Sequence, residues 1–194
     1  MTLQLMANSK TTMKTAKRTM LTFNRIRPWS PEWNRLGEAT QEVLLGFLQE
    51  APVKISRICN ALSIKVVAAP LPARISGEIR YNPEDESFKI KVNRYESSNR
   101  QRFSAAHELA HYLLHRDLII KEGSIVDNVL FRSNVSNMVE AQANRLAADL
   151  LMPIHLLREY INAHEANQND DTFIVEMAQD FGVSEMALRF RLGI

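Results

Sequence analysis

Residues 107–115 read HELAHYLLH, so three imidazoles and one carboxylate fall within nine residues of a run that otherwise carries the apolar stripe of a buried helix. On a helix, His107 and His111 are four apart and sit one above the other on the same face. Their ring nitrogens can then meet at a point about 2 Å from each, the distance at which imidazole holds zinc. Glu108 is turned about 100° around the helix from His107. That makes it a poor third ligand and a good group to hold an attacking water and take its proton.

The competing reading is a solvated helix face that carries these groups without consequence. Ala105, Ala106, Leu109, Ala110 and Leu113 crowd the same stretch, and polar groups buried among them need partners or a metal. His-Glu-x-x-His on a helix is also the pattern by which zinc metallopeptidases hold their ion.

A catalytic zinc ion usually takes three protein ligands, so one more is needed. His115 lies four residues beyond His111, but on a straight helix it is about 12 Å from His107 and cannot share the same ion. The three-histidine protease pattern breaks the helix at a glycine and uses a longer gap, and neither feature is present. His115 is therefore assigned a structural place or the rim of the site. The third ligand must come from another segment, and Glu140 in EAQANRLAADLLMP is the best acid for it. Asn144, four residues later on the same face, could accept from the free N–H of a ligating imidazole. The local pattern equally allows Asn137 as an N-cap with Glu140 as its capping-box partner. Tyr112 is a candidate oxyanion donor and equally a packing residue.

The elements that must position these groups can be read from periodicity. From Pro31 a helical run carries Trp33, Leu36, Val43, Leu44 and Phe47, and Pro31 suits its first turn. A short helix after Pro52 has Ile55, Ile58, Cys59 and Leu62 on one face, which places Cys59 in the core. IKVVAA, ISGEIRY and FKIKVN then read as strands, the last two as a hairpin across NPEDES. FKIKVN is expected at an edge, where an extended peptide could add to it. The helix of the HELAH run begins near Ser98, with Gln101 completing a capping box. Residues 117–136 read mostly as loop. Helices follow over NMVEAQANRLAADLLMP and IHLLREYINAHE, then two shorter ones split at Gly182, with Ser184 capping the second. These elements predict an α+β fold: a small, mostly antiparallel sheet packed against the HExxH helix and a second, glutamate-bearing helix, with further C-terminal helices.

Bulk properties set bounds. The chain has 194 residues, 45% of them hydrophobic and 24% charged, enough for one domain with its own core. Its net charge of +2 gives no strong global attraction to nucleic acid or membrane. The charge is uneven: residues 1–35 hold seven Lys/Arg against Glu32 alone. Residues 1–28 are expected to form a basic, flexible extension, 29–153 the metallopeptidase domain, and 154–194 a helical cap resembling a helix-turn-helix. The single cysteine excludes an intrachain disulfide and fits a reducing, cytoplasmic location. No apolar run approaches the ~20 residues of a membrane span. In DFGVSEMALRFRLG the basic residues are only Arg189 and Arg191, few for reading phosphates, so direct nucleic-acid binding is not expected.

FSAAHELAHYLLH followed by EAQANRLAADLLMP resembles the ImmA/IrrE family of zinc metallo-endopeptidases over roughly residues 53–153. The resemblance implies a gluzincin-like site, with Zn²⁺ held by His107, His111 and Glu140 and with Glu108 as general base. It also implies a protein partner: an Xre-type helix-turn-helix repressor or an antitoxin, cleaved or engaged so that repression is relieved. Family members often belong to stress-response or toxin–antitoxin modules. One departure is Ala110, where many members have glycine. The basic extension and the Trp33 helix lie outside the matched stretch.

Overall fold

The computed structural model describes residues 26–128, 134–164 and 172–194. Most of the basic N-terminal extension, residues 1–25, lies outside the described residues. Ile26 is buried, and the carbonyls of Arg27 and Pro28 accept from the Arg191 guanidinium.

The described residues begin with two helices rather than the single one that the periodicity from Pro31 suggests: α1, Pro31–Asn34, and α2, Glu38–Phe47. Ser30 caps α1, with Pro31 in its first turn. The break falls at Gly37, whose φ of 72° lies in the left-handed region. The consequence is a changed face: Trp33 and Leu44 are buried, but Val43 is exposed. Trp29 stacks on Trp33 at 4.2 Å, and Arg145 grips Glu32 through two hydrogen bonds of 2.7 and 2.9 Å. Helix α3, Ile55–Ala61, buries Ile55, Ile58 and Cys59, as its stripe predicts.

Three strands follow: β1, Ile64–Ala69; β2, Ile75–Asn82; and β3, Ser87–Asn93. A fourth, β4, Ser124–Asn128, completes a sheet in the order β1-β3-β2-β4. The β2–β3 hairpin is as expected, and β2 also pairs antiparallel with β4. One expectation fails here: β3, the FKIKVN strand, is not at an edge. It is flanked by β2 and by β1, which runs parallel to it with Ile64 opposite Phe88. Asn93 also departs from simple alternation. It is buried, because its amide donates to the carbonyls of Leu71, Pro72 and Ile75.

The sheet has two unlike faces. Gly77, Ile79, Phe88, Ile90 and Val92 share the inner face. On the other face the buried Glu78 carboxylate takes hydrogen bonds from Arg80 and Lys91. Those bonds outweigh the effect of burial and hold it below the ordinary carboxylate range.

Helix α4, Ser98–Glu122, packs on the inner face. Its N-cap is Ser97, one residue before the expected cap. It runs well past the expected end, to residue 122, so residues 117–136 are not mostly loop: they hold the end of α4, then β4, then the start of α5. Helix α5, Asn134–Leu151, packs beside α4. Residues 104–111 of α4 are buried all round, polar and apolar alike. Helices α6, Ile154–Ala163; α7, Phe173–Phe181; and α8, Glu185–Leu192, close the fold. Gly182 ends α7 in the left-handed region, and Ser184 caps α8. Arg191 ties α8 down from the inside, pairing with the buried Asp149 of α5 at 2.9 Å. Among the described residues no helix is long and apolar enough to cross a membrane.

Candidate metal centre

Helix α4 supplies two of the groups. His107 and His111 are buried, and their Nε2 atoms lie 3.0 Å apart. Helix α5 supplies the third. Glu140 Oε2 is 3.0 Å from His107 Nε2, and Glu140 Oε1 is 3.5 Å from His111 Nε2. Ligands about 2.0–2.2 Å from a tetrahedral zinc ion are themselves about 3.3 Å apart. The triangle of two imidazole nitrogens and one carboxylate oxygen therefore has the size and the donor chemistry of a zinc site.

The capping-box alternative for Glu140 does not hold. Helix α5 already begins at Asn134, so Asn137 is inside the helix and cannot cap it. Glu140 is free to turn toward α4. Burial alone would raise its carboxyl pKa, but the His107 and His111 imidazoles beside it outweigh that and hold it at about 2. It is thus a carboxylate at neutral pH. Burial also holds His111 below the ordinary imidazole range, against the opposing pull of Glu140, and so keeps the ring neutral and able to donate a lone pair.

Glu108 is fully buried, with its carboxylate against strand β2. It fits there only because residue 77 is glycine. A Cβ on Gly77 would stand 2.7 Å from Glu108 Oε1 and 3.1 Å from its Cγ. Strand β2 is thus cut away where the carboxylate lies. A lone glycine inside a strand pattern signals such an approach, although sequence cannot say what approaches.

The other sequence candidates are placed as follows. Asn144 is exposed and is not the acceptor for a histidine N–H. His115 holds that position for His111: their Nδ1 atoms are 3.1 Å apart, and His115 Nε2 is 3.0 Å from Gln142 Oε1. The Tyr112 ring meets Phe88 edge-on at 4.9 Å with the Arg116 guanidinium over it, which is packing against the sheet. Phe103, one turn before His107, stacks on its ring at 6.1 Å.

A cleft of about 920 Å³ opens about one helical turn from this cluster. Phe103 and Asn144, one turn from His107 and Glu140 respectively, line it, as do Ala148, Met186 and Phe190. None of His107, Glu108, His111 or Glu140 lines it; the segment before α1 and helix α8 do.

Comparison with curated protein sequences gives no match. Among solved structures, a Mycobacterium tuberculosis transcriptional regulator aligns at 19% identity with a TM-score of 0.45. That alignment covers 82% of this chain and 43% of the regulator, so the chain spans less than half of that protein's length. The Peptidase_M78 model, described as the IrrE N-terminal-like domain, matches residues 59–193, from α3 through the C-terminal helices and well beyond the stretch whose motifs first pointed to it. On that match the chain belongs to the Peptidase_M78, IrrE N-terminal-like family.

Proposed function

We propose that this chain is a zinc-dependent endopeptidase that cleaves a helix-turn-helix repressor or antitoxin and thereby relieves repression. The observation that carries the chemistry is the convergence of His107, His111 and Glu140 on one point, with Glu108 buried beside them. Membership of a peptidase family supports the same reading.

Zinc, when bound by those three side chains, would polarise the scissile carbonyl and make water more acidic. The protein's own groups do the rest. Glu108 accepts the proton of the attacking water on its carboxylate and returns it to the leaving amine nitrogen. Gly77 lets Glu108 stand where it does. Ala105, Ala106, Leu109 and Ala110 exclude bulk water around the ligands. The cleft past Phe103 is open and mainly apolar, and it receives the chain on one side of the scissile bond. Because FKIKVN is interior, added-strand binding to it is not part of this mechanism.

A second reading is a module that acts on a repressor by contact alone, since the same three side chains could hold a metal without cleaving anything. Direct DNA reading is disfavoured because Arg191 is engaged internally, which leaves Arg189 as the exposed cation of α8. The test uses a repressor encoded beside the chain, with a reporter under its control. Wild type should cleave the repressor and derepress the reporter. Glu108→Gln should bind the repressor and leave it whole with the reporter silent. Derepression by Glu108→Gln at the wild-type level would replace the hydrolase with the contact module.

A further inference from the structure

Helix α4 loses regular geometry at one residue: His115 has φ −129° and ψ 28°. Neither proline nor glycine is next to it, and the break coincides with the reach of its ring to Gln142 on α5. The ring stands between two partners, with Nδ1 against His111 Nδ1 at 3.1 Å and Nε2 against Gln142 Oε1 at 3.0 Å.

We propose that His115 and Gln142 form an outer relay that fixes the His111 proton on Nδ1 and so keeps His111 Nε2 bare and aimed at the metal position. His115 is a positioning residue in this account, acting through His111. The inference rests on the metal reading of His107, His111 and Glu140.

Donor and acceptor counting carries it. An amide oxygen only accepts, so Gln142 Oε1 requires the proton of a neutral His115 on Nε2. His115 Nδ1 is then bare and can only accept. A contact of 3.1 Å between two ring nitrogens needs one proton between them, so that proton belongs to His111 Nδ1. A neutral imidazole has one proton, which leaves His111 Nε2 as a lone pair 3.0 Å from His107 Nε2. Reversing the Gln142 amide reverses every step: His111 then carries its proton on Nε2, pointing at Glu140. The relay thus decides whether His111 presents a lone pair or a proton to the metal position. It also explains why the histidine too remote to share the ion nevertheless belongs to the site.

The test measures zinc affinity by competition with a chromophoric chelator in wild type, His115→Phe, His115→Asn and Gln142→Leu. It also reads the His111 tautomer by nitrogen NMR in the metal-free protein. Wild-type His111 should carry its proton on Nδ1. His115→Phe and Gln142→Leu should weaken zinc binding by about 10–100-fold with the fold retained. His115→Asn should recover most of the loss, because its amide oxygen stands near the place of Nδ1. A folded His115→Phe with wild-type zinc affinity would overturn the relay, as would a His111 protonated on Nε2. Should His115→Phe not fold, Gln142→Leu and the wild-type tautomer decide alone. A wild type that bound no zinc would overturn the metal reading and the relay with it, whereas tight wild-type binding with unaffected variants overturns the relay only.

Discussion

Replacing Gly77 with alanine adds one methyl group at the back of the proposed general base. The new Cβ would stand 2.7 Å from Glu108 Oε1, 3.1 Å from Cγ and 3.3 Å from Cδ, where ordinary contact begins near 3.4 Å. The carboxylate has to retreat by roughly 0.7 Å, and it has little room, because Glu108 is fully buried and Ala106, Leu109 and Ala110 around it are equally enclosed. Overpacking of this kind costs about 1–3 kcal/mol of stability. A displacement approaching 1 Å at a reacting group costs on the order of 100-fold in rate. The backbone at residue 77 is not in the left-handed region, so alanine adds steric pressure without dihedral strain. His107, His111 and Glu140 are not touched, and zinc content should stay as in wild type. The assay is the rate of peptide hydrolysis at saturating substrate, alongside metal content and a urea unfolding curve. Loss of turnover with zinc retained is expected. Turnover within about twofold of wild type in a fully folded variant would refute the account of why residue 77 lacks a side chain.

Three further outcomes follow from other parts of the molecule. Arg191→Met leaves the buried Asp149 carboxylate without its charge partner, with the Ser30 N–H still donating to it, and strips donors from the carbonyls of Arg27, Pro28 and Met152. It should cost about 3–5 kcal/mol in urea unfolding, and a loss below about 1 kcal/mol would count against it. Burial pushes the Cys59 thiol up to about 12, so a thiol reagent at neutral pH should leave the native protein unlabelled until it unfolds. Labelling within minutes under native conditions would contradict this. In the metal-free protein, burial lowers the His111 and His115 pKa values, so below the ordinary value of about 6.5 the unfolded chain binds more protons. Their contribution is full above that pH and is lost as pH falls through the window toward the folded values. The urea midpoint should therefore be lower at pH 5.5 than at pH 7.5, and equal midpoints would refute the assignment.

The metal pair could be read from sequence because it is local: four-residue spacing on a helix puts His107 and His111 together whatever the rest of the chain does. Glu140 could not be separated from a capping residue, since both roles use the same short spacing. It was decided by where α5 begins, and helix starts are weakly encoded. The β2–β3 hairpin was readable through its turn and alternation. The parallel pairing of β1 with β3 was not, because it depends on contacts across the chain, and it is what makes FKIKVN an interior strand. His115 could be given a structural place or the rim of the site from spacing on a straight helix, but not its partners. Its break in α4 and its contact with Gln142 appear only when α5 is in place. Gly77 carried a signal, a glycine inside a strand, but its meaning required Glu108 opposite.

The central claim is that three side chains hold the metal while Glu108 handles the proton. The most direct measurement is zinc content, by elemental analysis, together with peptide hydrolysis in wild type, Glu108→Gln and Glu140→Ala prepared in parallel. Wild type should hold about one zinc ion per chain and be active. Glu108→Gln should hold the same amount and lose at least about 10²–10⁴-fold in rate, whereas Glu140→Ala should lose zinc and activity together. A Glu108→Gln protein that retained wild-type hydrolysis, or a Glu140→Ala protein that retained zinc at wild-type affinity, would contradict the account.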